Sequence, residues 1–284
     1  MNSKRKPPKQ VPAQLVYEYT MGSRVPIQYS YIDDTLSEDK IKTYNSSDID
    51  NYLKKIGERK TFYYGITDSW LYQALENFQV QDKDIAIMGS VEPLYESIAI
   101  YYGGRPTTIE YQPRVSNDPR LTTVTVEEFM RHPRQFDAAF SISSFEHDGL
   151  GRYGDPLNPS GDLEAMEKMK SILKPNGLLF LSVPIGADTL VWNAHRVYGR
   201  LRLPELLSGW KLLEFFPSKF PYRKLRDGSQ QIRNGSQPIF VLQNSITDDI
   251  RLKQFIRNLS FALVLKHPFV RVVRRIRSIM KASS

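Results

Sequence analysis

FDAAFSISSFEHDGLGRYGDP, residues Phe136 to Pro156, is the stretch on which the reading of this chain turns. Its first half, DAAFSI (137–142), is a continuous apolar run of strand length, as expected of a strand covered on both faces. Its second half breaks abruptly into acids, a histidine and glycines. A buried strand that empties into a long polar loop is the pattern of an open α/β sheet, where ligands bind beyond the carboxyl ends of the strands.

The flanking sequence repeats the pattern. DIAIMG (84–89), PTTIEY (106–111) and LTTVT (121–125) read as strands upstream. Downstream, a helix is expected from Ser160 to Leu173, stopped by the turn KPNG (174–177). LLFLSV (178–183), WKLLEFF (210–216) and PIFVLQ (238–243) follow as strands. The last two have no clear helix between them, so an antiparallel edge hairpin is expected. Helices are also expected over Ser37 to Gly57 and over Ser69 to Phe78, the latter capped by Thr67 or Asp68. Strands alternating with helices give a mostly parallel sheet with helices on both faces. Residues 1–35 read as an irregular lead-in, 36–245 as the α/β domain and 246–284 as a basic amphipathic helical tail.

Composition narrows the classes. Of 284 residues, 40% are hydrophobic and 25% charged, ordinary for a globular chain. No apolar run reaches the roughly 20 residues of a membrane helix. No apolar segment follows the N-terminal basic residues, so no signal peptide is expected and the expected compartment is cytoplasmic. The absence of cysteine rules out disulfides, thiolate metal sites and cysteine nucleophiles. The net charge of +8 sits in the tails: thirteen of the 39 basic residues fall in 1–17 and 250–284, leaving 26 against 31 acids between them. A basic folded face for nucleic acid is therefore not expected. Phe269, Val272, Val273, Ile276 and Met280 recur at helical spacing among arginines, so residues 269–281 are a candidate contact with an anionic membrane surface. The alternative is a helix docked on the domain.

The strand ends supply the candidate site. Gly89 and Ser90 follow the first strand, where a glycine permits close approach of backbone to a ligand or simply makes the tight turn. Glu110 ends the second strand, 21 residues after Gly89, a spacing suited to a ribose diol or to a merely solvated carboxylate. Ser143 leaves the fourth strand beside them. His147 is the candidate base, with Glu146 and Asp148 orienting it or holding substrate hydroxyls. Alternatively, Glu146 and His147 cap the next helix. Arg152, Tyr153, Asp155, Asn158 and Asp162 are candidates to line a polar substrate pocket. Three metal ligands from His147, Asp148 and Asp155 lack any tight spacing, and no metal is expected. After the fifth strand, Trp192, Asn193, His195, Arg196 and Tyr198 form a polar-aromatic cluster. It reads as a helix, either a lid with His195 as second acid/base and Asn193 and Arg196 on substrate, or ordinary packing.

These segments resemble class I S-adenosylmethionine-dependent methyltransferases. The matching residues are Gly89, Glu110, Phe136–Asp137, Phe145–His147 and LKPNGLLFLSVP (173–184). A narrower resemblance, to the family called domain of unknown function 268, prominent in nematodes, rests on three segments. These are YYGITDSWLYQALE (63–76), EHDGLGRYGDPLNPSGD (146–162) and VPIGADTLVWNAHRVYG (183–199). The resemblance implies a Rossmann-like class I methyltransferase fold with seven strands. It implies S-adenosylmethionine held by Gly89, Ser90, Glu110 and Ser143, and methyl transfer to an oxygen of a polar small molecule or glycan. The chain departs from the broad pattern at GSVEPLY (89–95), where Gly89 stands without the usual second and third glycines. Val91, Glu92 and Pro93 replace small residues, implying a shifted cofactor pose or a non-catalytic binding module tethered by the tail.

Overall fold

The computed structural model describes residues 6–35, 41–217, 237–245, 253–255 and 257–258. In chain order the elements are α1 (Val16–Tyr19), β1 (Ile27–Tyr29), β2 (Lys42–Tyr44), α2 (Ser46–Gly57), α3 (Ile66–Asn77), β3 (Asp84–Met88) and α4 (Leu94–Tyr101). Then follow β4 (Arg105–Glu110), β5 (Arg114–Ser116), β6 (Thr122–Thr125), α5 (Val126–Arg131), β7 (Phe136–Ile142), α6 (Gly161–Ile172) and β8 (Leu173–Ser182). The chain closes with β9 (Thr189–Trp192), β10 (His195–Val197), α7 (Arg202–Leu206), β11 (Lys211–Phe216) and β12 (Ile239–Gln243).

Seven strands form the central sheet in the order β11-β12-β8-β7-β3-β4-β6. Every neighbouring pair from β8 to β6 is parallel, and β12 runs antiparallel between β8 and β11. The expected edge hairpin is therefore present. Strand side chains alternate between two apolar layers, which is why these strands read as unbroken apolar runs. Ala86, Phe136, Ala139, Leu179 and Leu181 face the layer shared with Met166, Met169, Leu203 and Leu206. Ile85, Ile87, Ala138, Phe140 and Phe180 face the layer built from Leu71, Leu75, Ile98 and Ala99. α6 and α7 thus cover one face, and α3 and α4 the other. α5 starts with a complete capping box between Thr125 and Glu128. From β3 the chain adds β4 and β6 on one side, then returns to add β7 and β8 on the other. The switch point lies between β3 and β7, directly above Gly89 and Ser143.

Several expectations are corrected. The helix expected from Ser37 begins at Ser46, because Lys42–Tyr44 is drawn into a two-stranded parallel sheet with β5, a strand too short to show a pattern. The helix expected at Trp192 to Tyr198 is a β-hairpin, β9–β10, to which β1 adds a third strand in parallel with β9. All ten residues from Thr189 to Tyr198 are buried, so there is no solvated face for an amphipathic helix to present. Most of the described lead-in has no regular secondary structure, but it is packed. Tyr19 and Trp192 pack edge to face at 5.3 Å, and Val11, Val25 and Leu190 join them in a separate apolar cluster. Its burial comes from isolated apolar residues rather than a periodic face, which is why the sequence shows no pattern there. The tail lies mostly outside the described residues, as does the whole of 269–281. At its start, Phe255 stacks against Phe215 and Phe240 at 4.7 and 5.2 Å. Among the described residues, no helix is long and apolar enough to cross a membrane.

Asp162, at the start of α6, ties the second layer to the loops. It is fully buried and accepts from Arg202 Nε at 3.1 Å and Nη2 at 2.5 Å, and from the Tyr198 hydroxyl at 2.9 Å. Burial opposes its ionisation, but Arg196 and Arg202 hold its carboxyl below the usual carboxylate range. Removing one partner of such a pair strands a buried charge and costs about 3–5 kcal/mol. Asp162→Ala is therefore expected to lower unfolding free energy by that amount in denaturant titration. A loss below about 1 kcal/mol would show that the knot contributes little.

Candidate functional site

Two walls meet at the switch point. The first is the β3 exit. Gly89 has φ of 73°, and a Cβ there would stand 2.2 Å from Ser144 Oγ and 2.5 Å from Ser144 Cβ. Glycine is required on both counts, and the hollow it leaves is filled by Ser144. The Ser90 amide donates to Glu110 Oε1 at 2.5 Å, so the carboxylate at the end of β4 is held against the turn. Tyr44 donates its hydroxyl to the Ser90 carbonyl at 2.8 Å from the small sheet below. Glu92 is turned away, accepting from the Tyr52 hydroxyl at 2.7 Å. Val91 stands 52% exposed at the rim.

The second wall is the β7 exit. Ser143 is turned by a φ of 55°, which places its hydroxyl on Glu146 Oε1 in a very short hydrogen bond. Glu146 and His147 lie in a single 3-10 turn, Phe145–His147. Glu146 is 1% exposed, and its Oε2 has no hydrogen-bond partner. Burial pushes its carboxyl up to about 7, against the opposing Ser143 hydrogen bond. His147 Nδ1 lies 2.6 Å from the Ala194 carbonyl oxygen. A carbonyl only accepts, so Nδ1 carries the proton and Nε2 presents its lone pair. Nε2 is 3.8 Å from Glu146 Oε1. Burial, with Arg152 as the next cause, lowers His147 to about 3 and His195 to about 4. Both imidazoles are neutral at physiological pH. Their rings stand perpendicular at 6.4 Å, and Tyr153 meets His147 edge to face at 5.8 Å. His195 Nε2 is buried without a partner.

The sequence-derived candidates therefore divide. Ser143, Glu146, His147, His195 and Tyr153 come together. Gly89, Ser90 and Glu110 form the facing turn, and the Gly89–Ser144 contact joins the walls. Asp148 lies just beyond His147, its carboxyl raised well above normal by burial and then by Asp155. Four others have polar atoms engaged within the protein. Arg196 donates to the carbonyls of Asp148 at 2.7 Å and of Asn158 and Pro159 at 3.3 Å. Asn193 exchanges two 2.9 Å hydrogen bonds with the Ile32 backbone. Asp155 accepts from the amides of Gly151 and Tyr153, making its own loop turn. Arg152 pairs with Asp34 at 2.7 Å, fastening the loop to the N-terminal segment. In sequence Arg152, Asn193 and Arg196 look like ligand contacts because their protein partners lie far away along the chain, whereas Asp155 is used up by amides two and four residues before it.

Reading by residue also missed Ser144, Ala194 through its carbonyl, and Tyr64. The Tyr64 hydroxyl hydrogen-bonds Ser143, while burial pushes its own ionisation upward. Tyr64 falls in the quoted motif at 63–76, the one signal that marked it. Among the described residues, no group of three His, Asp or Glu side chains is placed to hold a metal ion.

A mostly parallel seven-stranded sheet, its crevice at the switch between β3 and β7 and its antiparallel strand inserted near one edge, defines a Rossmann-like class I methyltransferase fold. The chain belongs to the family described as Caenorhabditis protein of unknown function, DUF268, which matches residues 82–243. No curated protein sequence matches it. Among solved structures, it is similar to a Burkholderia thailandensis 1,6-didemethyltoxoflavin-N1-methyltransferase with bound S-adenosylhomocysteine. That match has 14% identity and a TM-score of 0.44, covering 70% of this chain and 87% of the other. It is also similar to the N-methyltransferase NodS of Bradyrhizobium japonicum, at 12% identity and a TM-score of 0.42, covering 63% and 93%. A third similarity is to a Streptococcus thermophilus protein provisionally assigned as a hemolysin, at 13% and 0.42, covering 71% and 76%. Likenesses this distant carry no argument about chemistry, which has to come from the residues themselves.

Glu146 gives the site a pH signature. A carboxyl held at about 7 in the folded state, against 4.5 ordinarily, keeps a proton that the unfolded chain releases. Its contribution to stability is present below the unfolded value and is lost as pH rises toward 7. Glu146→Gln stays neutral throughout. Its melting temperature relative to wild type should therefore climb between pH 5 and pH 8, and a flat difference would contradict the shifted carboxyl. The Gly89 turn is tested by Gly89→Ala, expected to destabilise by more than the ~1–2 kcal/mol of left-handed backbone alone. Adding Ser144→Gly should restore the steric part only, as read by denaturant midpoints.

Proposed function

We propose that the protein is an S-adenosylmethionine-dependent methyltransferase acting on an oxygen of a polar small molecule or glycan. The observation that carries this reading is His147. Its Nδ1–H is fixed on the Ala194 carbonyl, and its neutral Nε2 lies 3.8 Å from a carboxyl poised near neutrality.

The residues present fit the cofactor's ribose end. Glu110 is anchored at the Ser90 amide, at the edge where a ribose diol would be held. The hollow at Gly89 is taken by Ser144, so the backbone of Ser90 and Val91 is what remains to hold the methionine end. Glu92 does not oppose its carboxylate, being turned to Tyr52. When bound, the cofactor supplies a methyl group on a sulfonium and leaves as a neutral thioether. The protein's task is alignment and proton removal. His147 Nε2 accepts the hydrogen bond of the acceptor hydroxyl and orients it. A histidine held at about 3 is a weak final base, whereas Glu146 at about 7 suits the operating pH. Glu146, reached through His147, is the better proton sink.

A second reading, a methyltransferase-like binding module without catalysis, is favoured by one observation: Ser144 occupies the glycine hollow. In either reading the basic segment 269–281 is proposed to contact an anionic membrane surface.

Thermal unfolding with S-adenosylhomocysteine separates the two. A ligand at a hundred times its Kd stabilises by about 2.7 kcal/mol. The wild type should melt several degrees higher with ligand, and Glu110→Ala should show no such gain. No shift at millimolar ligand would exclude the methyltransferase reading.

A further inference from the structure

Two buried polar atoms around His147 are unused by the fold. Glu146 Oε2 and His195 Nε2 are each closed off from solvent and lack a partner. Such groups cost about 1–3 kcal/mol apiece when left unmade, so a ligand that satisfies them gains that much. Both lie beside His147, with Glu146 Oε1 3.8 Å from Nε2 and the His195 ring centroid 6.4 Å from that of His147. His147 itself is 15% exposed, and beside it Tyr153 is 37% exposed. The site thus offers the His147 Nε2 lone pair, a carboxyl oxygen and a second imidazole nitrogen, next to a partly exposed aromatic ring.

Polar atoms in this arrangement call for a ligand with several hydrogen-bonding groups, at least one of them a donor to His147 Nε2. Two classes qualify, polyols and organic cations. Arg152 packs over the Tyr153 ring at 4.9 Å, and Arg196 lies buried behind the loop. Their charge disfavours a second cation in the cleft. Neutral hydroxyl donors carry no such penalty. A ring with hydroxyls at its edge and C–H groups on its face matches both the acceptors and the aromatic.

We propose that this cleft binds a saccharide through two adjacent hydroxyls, one donating to Glu146 Oε2 and the other to His195 Nε2, with the sugar ring against Tyr153. The chemistry of the inference rests on the methyltransferase reading, since a third hydroxyl placed on His147 Nε2 would be the one methylated. His195 is then a specificity-determining contact rather than a second acid or base. Because both acceptors are closed off, entry of the sugar moves the Tyr153 loop. Gly151 and Gly154, with φ of 74° and 86°, bracket that loop.

The test is saturation-transfer NMR on the full chain with the methyl glycosides of glucose, galactose and mannose. Cyclohexanol and choline serve as controls, each with and without S-adenosylhomocysteine. At least one glycoside is expected to bind in the millimolar range or tighter, and neither control. His195→Phe, checked by its melting curve, should weaken that binding at least tenfold. Tyr153→Ala, a change at a partly exposed position that leaves the core intact, should weaken it severalfold. Binding of S-adenosylhomocysteine with no glycoside signal overturns this inference alone. Glycoside binding without any S-adenosylhomocysteine binding upholds the saccharide site and overturns the methyltransferase reading. Choline binding in place of the glycosides, or glycoside binding unchanged in both variants, also overturns the saccharide site.

Discussion

Asp162 is the point from which the site side of this molecule is built. Its buried carboxylate is met by Arg202 and Tyr198, and Arg196 lies 3.7 Å away. With Asp162 in place, the two arginines are held where their remaining donors reach the carbonyls of Asp148, Asn158 and Pro159. The long loop after β7 therefore has its backbone satisfied by side chains rather than by a strand partner. The two ends of a glycine-rich loop are thereby fixed, and His147 inherits its position from the first of them.

The same economy recurs around the loop. Asp188 accepts from three consecutive-region amides, those of Gly199, Leu201 and Arg202, and so turns the chain into α7. Asn193 substitutes for a strand edge against Ile32. Tyr31 and Trp192 donate to the carbonyls of Pro7 and Pro8, fastening a segment with few backbone donors of its own. These contacts place the N-terminal segment over the β9–β10 hairpin, and the hairpin in turn delivers His195 and the Ala194 carbonyl to His147. The candidate site is thus assembled from the central sheet on one side and an added three-stranded sheet on the other.

Electrostatics then sort residues that composition alone makes equivalent. Glu146 and Asp162 are both buried acids. Asp162 has two arginines and stays ionised, whereas Glu146 has a hydroxyl and a neutral imidazole and is pushed to about 7. Structural and chemical carboxylates differ here by their partners, not by their burial. Likewise Arg152, tied to Asp34, contributes as a nearby charge that keeps both histidines neutral.

The central sheet was legible in the sequence because its strands are buried on both faces and read as apolar runs with turns between them. The placement of Gly89, Glu110 and His147 at strand ends followed from that periodicity. What the sequence could not decide was every feature set by contacts between distant residues. The hairpin at 189–197 looked helical because its burial is complete and erases periodicity. Asn193 and Arg196 looked like substrate contacts because their backbone partners are not adjacent in the chain. Gly89 looked like a ligand notch, and only the packed structure brought Ser144, 55 positions later, into its hollow. Local pattern marks the central strands and the helices between them, since it depends on neighbours a few residues apart. Which polar groups remain unpaired, and so are free to do chemistry, is decided only when the tertiary fold has used up the others.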